Sequence, residues 1–190
     1  MVDTYILPYP STALQPHISS EVVGTHLARL AGLQQALCNA LTGSDLAQME
    51  LDVVVASSQG QTFELAASCL NQRFFWDGLC SRSPAEPGGR IGERIKSDFG
   101  SLGALQESFS QHAAQLPADG WIWLVEQADG RLAVTSHPGI GNPLTGTSRP
   151  VLACPLDHTL WDSPGNSDRS SWLTGFWKLV NWDMAERNLR

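Results

Sequence analysis

The stretch WIWLVEQADGRLAVTSH, residues 121–137, constrains the fold more than any other part of the sequence. Two apolar runs flank Asp129-Gly130, a dipeptide that favours the tight turn of a β-hairpin. The apolar segment PVLACPL, residues 150–156, predicts a third short strand. We therefore expect a small, mostly antiparallel sheet of three strands in the second half of the chain.

Apolar residues recur at helical spacing before and after this sheet. Ser19 or Ser20 is suited to cap a helix over residues 23–41. A second helical pattern covers residues 62–76, and the two helices predict an αα-hairpin. Further helices are predicted at residues 91–99, 102–116 and 171–187.

The segment SRSPAEPGG, residues 81–89, is the clearest domain boundary, because it is polar, carries two prolines and ends in a glycine pair. It divides the chain into an N-terminal arm and α-helical hairpin domain over residues 1–82 and a C-terminal α/β domain over residues 90–190. The predicted fold class is α+β, with a helical hairpin followed by the three-stranded sheet.

Composition excludes some classes of function. The 19 acidic and 12 basic residues give a net charge of −7, which disfavours strong nucleic-acid binding. No apolar run is long enough to predict a membrane span. The four cysteines lack a C-x-x-C pair, so buried free thiols are expected rather than a zinc ribbon. These cysteines are Cys38, Cys69, Cys80 and Cys154.

Seven segments occur in an order and at spacings that are typical of one family. They are LPYPSTALQPHIS (7–19), LNQRFFWDGL (70–79), FGSLGALQESF (99–109), GWIWLV (120–125), GNPL (141–144), CPLDHTLW (154–161) and FWKLVNWD (176–183). Together they resemble the iron/manganese superoxide dismutase family over nearly the whole chain. The resemblance implies that family's fold.

In that family three histidines and one aspartate hold iron or manganese, and the metal alternates between two oxidation states as it dismutates superoxide. The resemblance places the four ligand positions at His26, Gln72, Cys154 and His158. Gln72 replaces a histidine, and Cys154 replaces the aspartate that opens the family's D-V-W-E-H segment. Two of the four ligands are thus retained.

The polar groups around the family's metal are also replaced. The gateway tyrosine corresponds to Gln34 and its supporting histidine to Leu30, while the two alternative positions of a glutamine correspond to Ser68 and Ile140. The packing residues are kept. They are Trp76, Trp121, Trp123, Trp177, Asn181 and Trp182.

This pattern predicts a non-catalytic, superoxide-dismutase-like protein with no cofactor. It would serve as a structural or interaction subunit of a larger complex, such as a mitochondrial ribosome or a respiratory assembly. A mitochondrial location is expected from the resemblance, with the cytoplasm or another organelle as alternatives. Asp157 and His158 are candidate contacts for a homodimer or for a heterodimer with a dismutase-like paralogue.

Two alternatives stay open at this point. One is a divergent but active dismutase that binds iron or manganese through an altered ligand set. The other is a zinc-stabilised or redox-sensing protein, with zinc held by His26, Cys154 and His158, or with a reactive Cys154 thiol activated by the nearby imidazole.

Overall fold

The computed structural model describes residues 3–116, 119–161 and 168–190. The helices are α1 (Ser20–Leu41), α2 (Leu51–Ser57), α3 (Gly60–Asp77), α4 (Gly89–Phe99), α5 (Leu102–Gln115), α6 (His158–Trp161), α7 (Arg169–Trp177) and α8 (Trp182–Asn188). The strands are β1 (Gly120–Glu126), β2 (Leu132–Pro138) and β3 (Arg149–Leu156). Short 3-10 turns cover Asp45–Gln48 and Pro143–Thr145.

The three strands form one antiparallel sheet in the order β2-β1-β3. The predicted Asp129-Gly130 turn joins β1 to β2, and Gly130 has a φ of 84°, a left-handed conformation that glycine adopts without strain. Helices precede and follow this sheet, so the predicted α+β fold class is confirmed.

Helices α1 and α3 pack against each other and carry the N-terminal half of the site. Ser19 caps α1 through a hydrogen bond that its side chain accepts from the backbone nitrogen of Val22 at 3.2 Å. The buried face of α1 includes two polar residues. Its members are Val23, His26, Leu30, Gln34, Leu37 and Leu41. Helical periodicity therefore turns His26 and Gln34 inward.

The short helix α2 was absent from the sequence-based prediction. It has seven residues, of which Val54 and Val55 are buried against the rest of the N-terminal half. A helix this short shows too few turns for a clear apolar stripe. Its position beside α3 comes from tertiary packing.

The single closing helix predicted over residues 171–187 is wrong, because the structure has two helices, α7 and α8, in this region. Between them Val180 forms an isolated antiparallel bridge with Leu79. The backbone nitrogen of Asn181 donates to the carbonyl of Gly78 at 2.8 Å, and its side chain caps α8. These long-range backbone bonds interrupt the helix where local periodicity would continue it.

A cluster of aromatic side chains joins α3 to the sheet. The ring centroids of Trp121 and Trp123 lie 5.8 Å apart, and Phe75 lies 6.4 Å from Trp121. Trp76 and Trp172 are fully buried in the same core. This cluster packs α3 against β1. In the part of the chain that the structure describes, no helix is long and apolar enough to cross a membrane.

Candidate functional site

A pocket of about 310 Å³ lies where α1, α3 and the sheet meet. Arg29 contributes from α1, Gln72 from α3, Trp121 from β1, and the segment 155–159 from the end of β3 and the start of α6. His26 lies beside it, 4% exposed, with its ring 5.8 Å from that of Trp76. The resemblance predicts the ligands of a metal in this region.

His26 is hydrogen-bonded rather than open to a ligand. Its Nε2 lies 2.9 Å from the hydroxyl oxygen of Thr159. Burial lowers the pKa of His26 below its usual value; the charge of Arg29 lowers it further, whereas Asp157 and the amide of Gln72 oppose the shift. The imidazole is therefore neutral at pH 7.

The direction of this hydrogen bond follows from its neighbour. The Thr159 hydroxyl donates to the carboxylate Oδ1 of Asp157 at 2.7 Å, and the Thr159 backbone nitrogen donates to the same oxygen at 3.0 Å. Since the single hydroxyl hydrogen is committed to Asp157, the Thr159 oxygen accepts from His26. The Nε2 of His26 thus carries the hydrogen.

Asp157 is an ionised acceptor. Burial alone would raise the pKa of its carboxyl, but the two hydrogen bonds from Thr159 and the nearby charge of Arg29 favour the ionised form, and the pKa lies below its usual value. Arg29 Nη1 lies 3.4 Å from Asp157 Oδ2. The result is a continuous chain from His26 through Thr159 to Asp157.

Gln72 reaches the pocket from α3. Its Oε1 is buried and accepts no hydrogen bond from the described residues, although the amide lies close enough to influence the pKa of His26. The preceding Asn71 is fully buried and donates to the carbonyl of Ile140 at 3.0 Å, which ties α3 to the loop after β2. Gln72 therefore brings a buried amide oxygen without a hydrogen-bond donor among the described residues.

Pro155 lines the pocket beside its cross-strand neighbour Trp121. A proline side chain has no donor or acceptor atom, and its nitrogen carries no hydrogen. Its carbonyl oxygen already accepts from the indole nitrogen of Trp172 at 2.8 Å. This position therefore contributes shape but no free ligand atom.

Cys154 is opposite Ile122 in the sheet. Successive side chains of a strand point to opposite faces, so Cys154 points away from the face that carries Pro155. It is fully buried, and burial raises the pKa of its thiol although a contact with Trp172 lowers it. The thiol that the redox-sensing alternative requires is thus protonated and shielded.

His158 lies at the outer rim of the pocket, with 67% of its side chain exposed. Its Nδ1 is 3.5 Å from Asp119 Oδ2 and 3.9 Å from Asp157 Oδ1. Within residues 3–116, 119–161 and 168–190, only Asp119, Asp157 and His158 bring three possible ligand atoms within 4.8 Å of one another. His26, Cys154 and His158 are not brought together, so the geometry offers no preformed zinc site of that composition.

His26 and Gln72 thus lie together at the site, with Pro155 lining the pocket and Thr159 bonded to His26. Cys154 is on the opposite face of β3, and His158 lies at the rim of the pocket. Pro155 and Thr159 are four residues apart, as are Cys154 and His158, so the sequence pattern fits either pair. A shift of one residue along β3 exchanges the face on which a side chain lies. The four-residue spacing was the available signal in the sequence, but it does not distinguish the pair Pro155 and Thr159 from the pair Cys154 and His158.

The four residues that correspond to the polar groups around the family's metal have different surroundings. Leu30 is buried in the core, while Ser68 and Ile140 line the pocket. Gln34 holds the N-terminal arm: its Oε1 accepts from the backbone nitrogen of Tyr5 at 3.2 Å, and its Nε2 donates to the carbonyl of Asp3 at 2.6 Å. A position at which the resemblance predicts a gateway side chain thus serves a structural role.

We expect Gln34→Ala to loosen the N-terminal arm, the described residues before α1, since Gln34 no longer bonds to Asp3 and Tyr5 and only the bond from Tyr5 to Asp77 still holds this end. Cleavage by chymotrypsin after Tyr5 should accelerate several-fold while the rest of the chain stays resistant, as measured by mass spectrometry over a time course. Gln35→Ala is the matched control, because Gln35 is exposed and bonds only to Asn39 in the same helix. Equal acceleration in both variants would contradict the assignment.

Comparison with known proteins agrees with the fold. The family model for the C-terminal domain of iron/manganese superoxide dismutases matches residues 87–188. The chain is 33% identical over 185 residues to a Legionella pneumophila protein named superoxide dismutase [Fe], covering 97% of this chain and 96% of that protein. It is 34% identical over 185 residues to the Escherichia coli K12 protein of the same name, covering 96% and 95%. A Bordetella pertussis superoxide dismutase [Fe] is 34% identical over 184 residues, covering 96% and 95%. The chain belongs to the iron/manganese superoxide dismutase family.

The names of these relatives imply iron, but the residues present at this site do not fit it. Iron and manganese favour imidazole and carboxylate ligands. Here the Nε2 of His26 bears a hydrogen that is donated to Thr159, Pro155 has no ligand atom, and Gln72 offers a neutral amide oxygen. The carboxylate of Asp157 is engaged by Thr159 and Arg29.

Proposed function

We propose that this chain is a member of the superoxide dismutase family that does not turn over superoxide and acts by binding other proteins. The observation that carries the proposal is the chain of hydrogen bonds from His26 through Thr159 to Asp157. It occupies the imidazole nitrogen that a metal would need. The function of a shared fold depends on its site, and here the site lacks the ligands.

We infer further that Pro155 and Thr159 occupy the positions of the aspartate and the third histidine. In the family's D-V-W-E-H segment these two ligands are four residues apart, as Pro155 and Thr159 are. Both line the same pocket as Gln72. On this assignment three of four ligands are replaced, one more than the alignment of Cys154 and His158 implies, so the case against a working metal centre becomes stronger.

An active iron-dependent dismutase is the second candidate. Identity of about one third with proteins named superoxide dismutase [Fe], over nearly the whole chain, favours it. It would require Gln72 to bind metal through its amide oxygen and Thr159 to release His26. Even with those changes the site would have no carboxylate available to bind the metal, so this candidate is second.

Asp157 and His158 remain our candidates for contact with a second copy or a dismutase-like paralogue. His158 is exposed at the rim of the pocket, beside Asp119, where a partner surface can reach it. The proposed role in a larger assembly and the mitochondrial location stay predictions.

The test is elemental analysis for iron, manganese and zinc, combined with a superoxide-removal assay on the same sample. The protein is expressed with iron or manganese supplied, and the Escherichia coli superoxide dismutase [Fe] is prepared in parallel as the positive control. We expect metal far below one ion per chain and no superoxide removal. About one iron or manganese ion per chain with turnover would overturn the proposal in favour of the second candidate.

A further inference from the structure

A second cavity, of about 580 Å³, lies in the N-terminal half between the arm, α2 and α3. Its floor is apolar and is formed by three partly buried side chains, Leu51, Leu70 and Phe74. We call this cavity the acidic groove, because its remaining lining residues are mostly carboxylates. They are Asp3, Glu50, Asp52, Asp77 and the single cation Arg73.

The charges of the acidic groove are not balanced within the chain. Arg73 lies over the ring of Tyr5, 5.9 Å from its centroid, close to Asp77 on the next turn of α3. Among the described residues no basic side chain forms a salt bridge with Asp3, Glu50 or Asp52. The groove therefore presents a negative potential to a molecule that approaches it.

The large apolar side chains that the described residues expose lie close in sequence to lining residues of this groove. They are Ile6, Met49 and Val53. Ile6 is 82% exposed and follows Tyr5, which bonds to Asp77 at 2.7 Å. Met49 and Val53 flank the groove residues Glu50 to Asp52. Exposed apolar side chains that adjoin the lining residues of a cavity along the chain favour a surface for interaction.

We propose that the acidic groove docks a basic, amphipathic segment of a partner protein. Lysine or arginine side chains of the segment pair with Asp3, Glu50 and Asp52, and its apolar side chains cover Ile6 and Val53. Apolar anchors with complementary charge at the rim are the features of helix-in-groove recognition. A second copy of this chain is disfavoured, because its net charge of −7 would meet a groove of the same sign.

The arm forms one wall of the groove, and Gln34 and Asp77 hold it there. The groove thus gives a structural use to Gln34, the residue that replaces the gateway side chain expected from the resemblance. The acidic groove gives the proposed binding role a class of partner, a basic amphipathic segment. Its biological meaning rests on that proposed role. The groove shares no lining residue with the pocket beside His26, so its charges do not depend on whether that pocket holds metal.

The test is fluorescence anisotropy with a fluorescein-labelled peptide of leucine and lysine spaced at the helical period, and with its counterpart in which glutamate replaces each lysine. The variant Glu50→Gln/Asp52→Asn removes two groove charges. The control Glu107→Gln/Asp183→Asn removes two exposed charges on α5 and α8, far along the chain from the groove. A third variant, Met49→Ser/Val53→Ser, removes two exposed apolar side chains and no charge.

We expect the basic peptide to bind and the acidic peptide not to bind. Affinity should fall about five- to tenfold in the groove-charge variant and stay within about twofold in the control. The apolar variant should also bind more weakly, with an unchanged salt dependence. Absence of binding, or an equal loss in the groove-charge variant and the control, overturns the docking site. If either result is found and the protein is also free of metal, the proposed lack of turnover still stands. The docking site and the lack of turnover can therefore fail independently of each other.

Discussion

The variant Gln72→His/Pro155→Asp/Thr159→His is expected to bind close to one iron or manganese ion per chain, whereas the parent chain binds almost none. The three substitutions supply two imidazoles and a carboxylate to the pocket that His26 adjoins, and they remove the hydroxyl that engages His26 Nε2. Such a ligand set suits these ions. Elemental analysis and the absorbance of bound metal provide readouts besides superoxide removal.

A matched variant tests the alternative assignment. Gln72→His/Cys154→Asp, with His158 retained, would complete the same ligand set if Cys154 and His158 occupied the ligand positions. Because Cys154 is fully buried on the other face of β3, we expect this variant to bind no metal and to lose stability from the buried carboxylate. Circular dichroism separates unfolding from loss of binding. Metal in this variant, and none in the first, would contradict the structural assignment.

Glu126→Gln is expected to lower the free energy of unfolding by about 2–4 kcal/mol, since it breaks a buried charge cluster. Glu126 is 3% exposed; its Oε1 accepts from Arg94 Nη2 at 3.2 Å, and its Oε2 accepts from the backbone nitrogen of Arg190 at 2.9 Å. An amide can accept at one of these positions only, and its NH₂ faces a donor at the other.

Urea denaturation followed by tryptophan fluorescence measures this loss. Asp129→Asn is the control: Asp129 and Arg131 also form an ion pair, at 2.9 Å, but both side chains are exposed at the hairpin turn. Exposed pairs contribute little, so the control should unfold almost as the parent does. A loss in Glu126→Gln no greater than in Asp129→Asn would show that the cluster is not stabilising.

Much of the fold could be predicted because its signals are local. The Asp129-Gly130 turn, the apolar run of β1 and the apolar periodicity of α1 each report on neighbouring residues. The prediction of a single helix over residues 171–187 was wrong because the contacts that divide this region are not local. The bridge between Leu79 and Val180 joins residues that are distant in sequence, and no local pattern announces it.

The candidate site shows the same division. Periodicity indicated that His26 faces inward, and the replacement of a histidine by Gln72 is visible in the sequence. The role of Gln34 in holding the arm was not visible, since it depends on backbone atoms of residues 3 and 5. The sequence does not indicate which group a polar residue on a buried helical face will form a hydrogen bond with.

By itself the sequence determined the α+β architecture and the membership of the family, because residue type and spacing carry this information. It also shows that Gln72 stands where the resemblance expects a histidine. Only the tertiary structure decided that Thr159 bonds to His26 and that Pro155, rather than Cys154, lines the pocket beside it. The reason is the two-residue period of a β-strand. One step along β3 moves a side chain from one face of the sheet to the other, and only the pairing with β1 fixes that step.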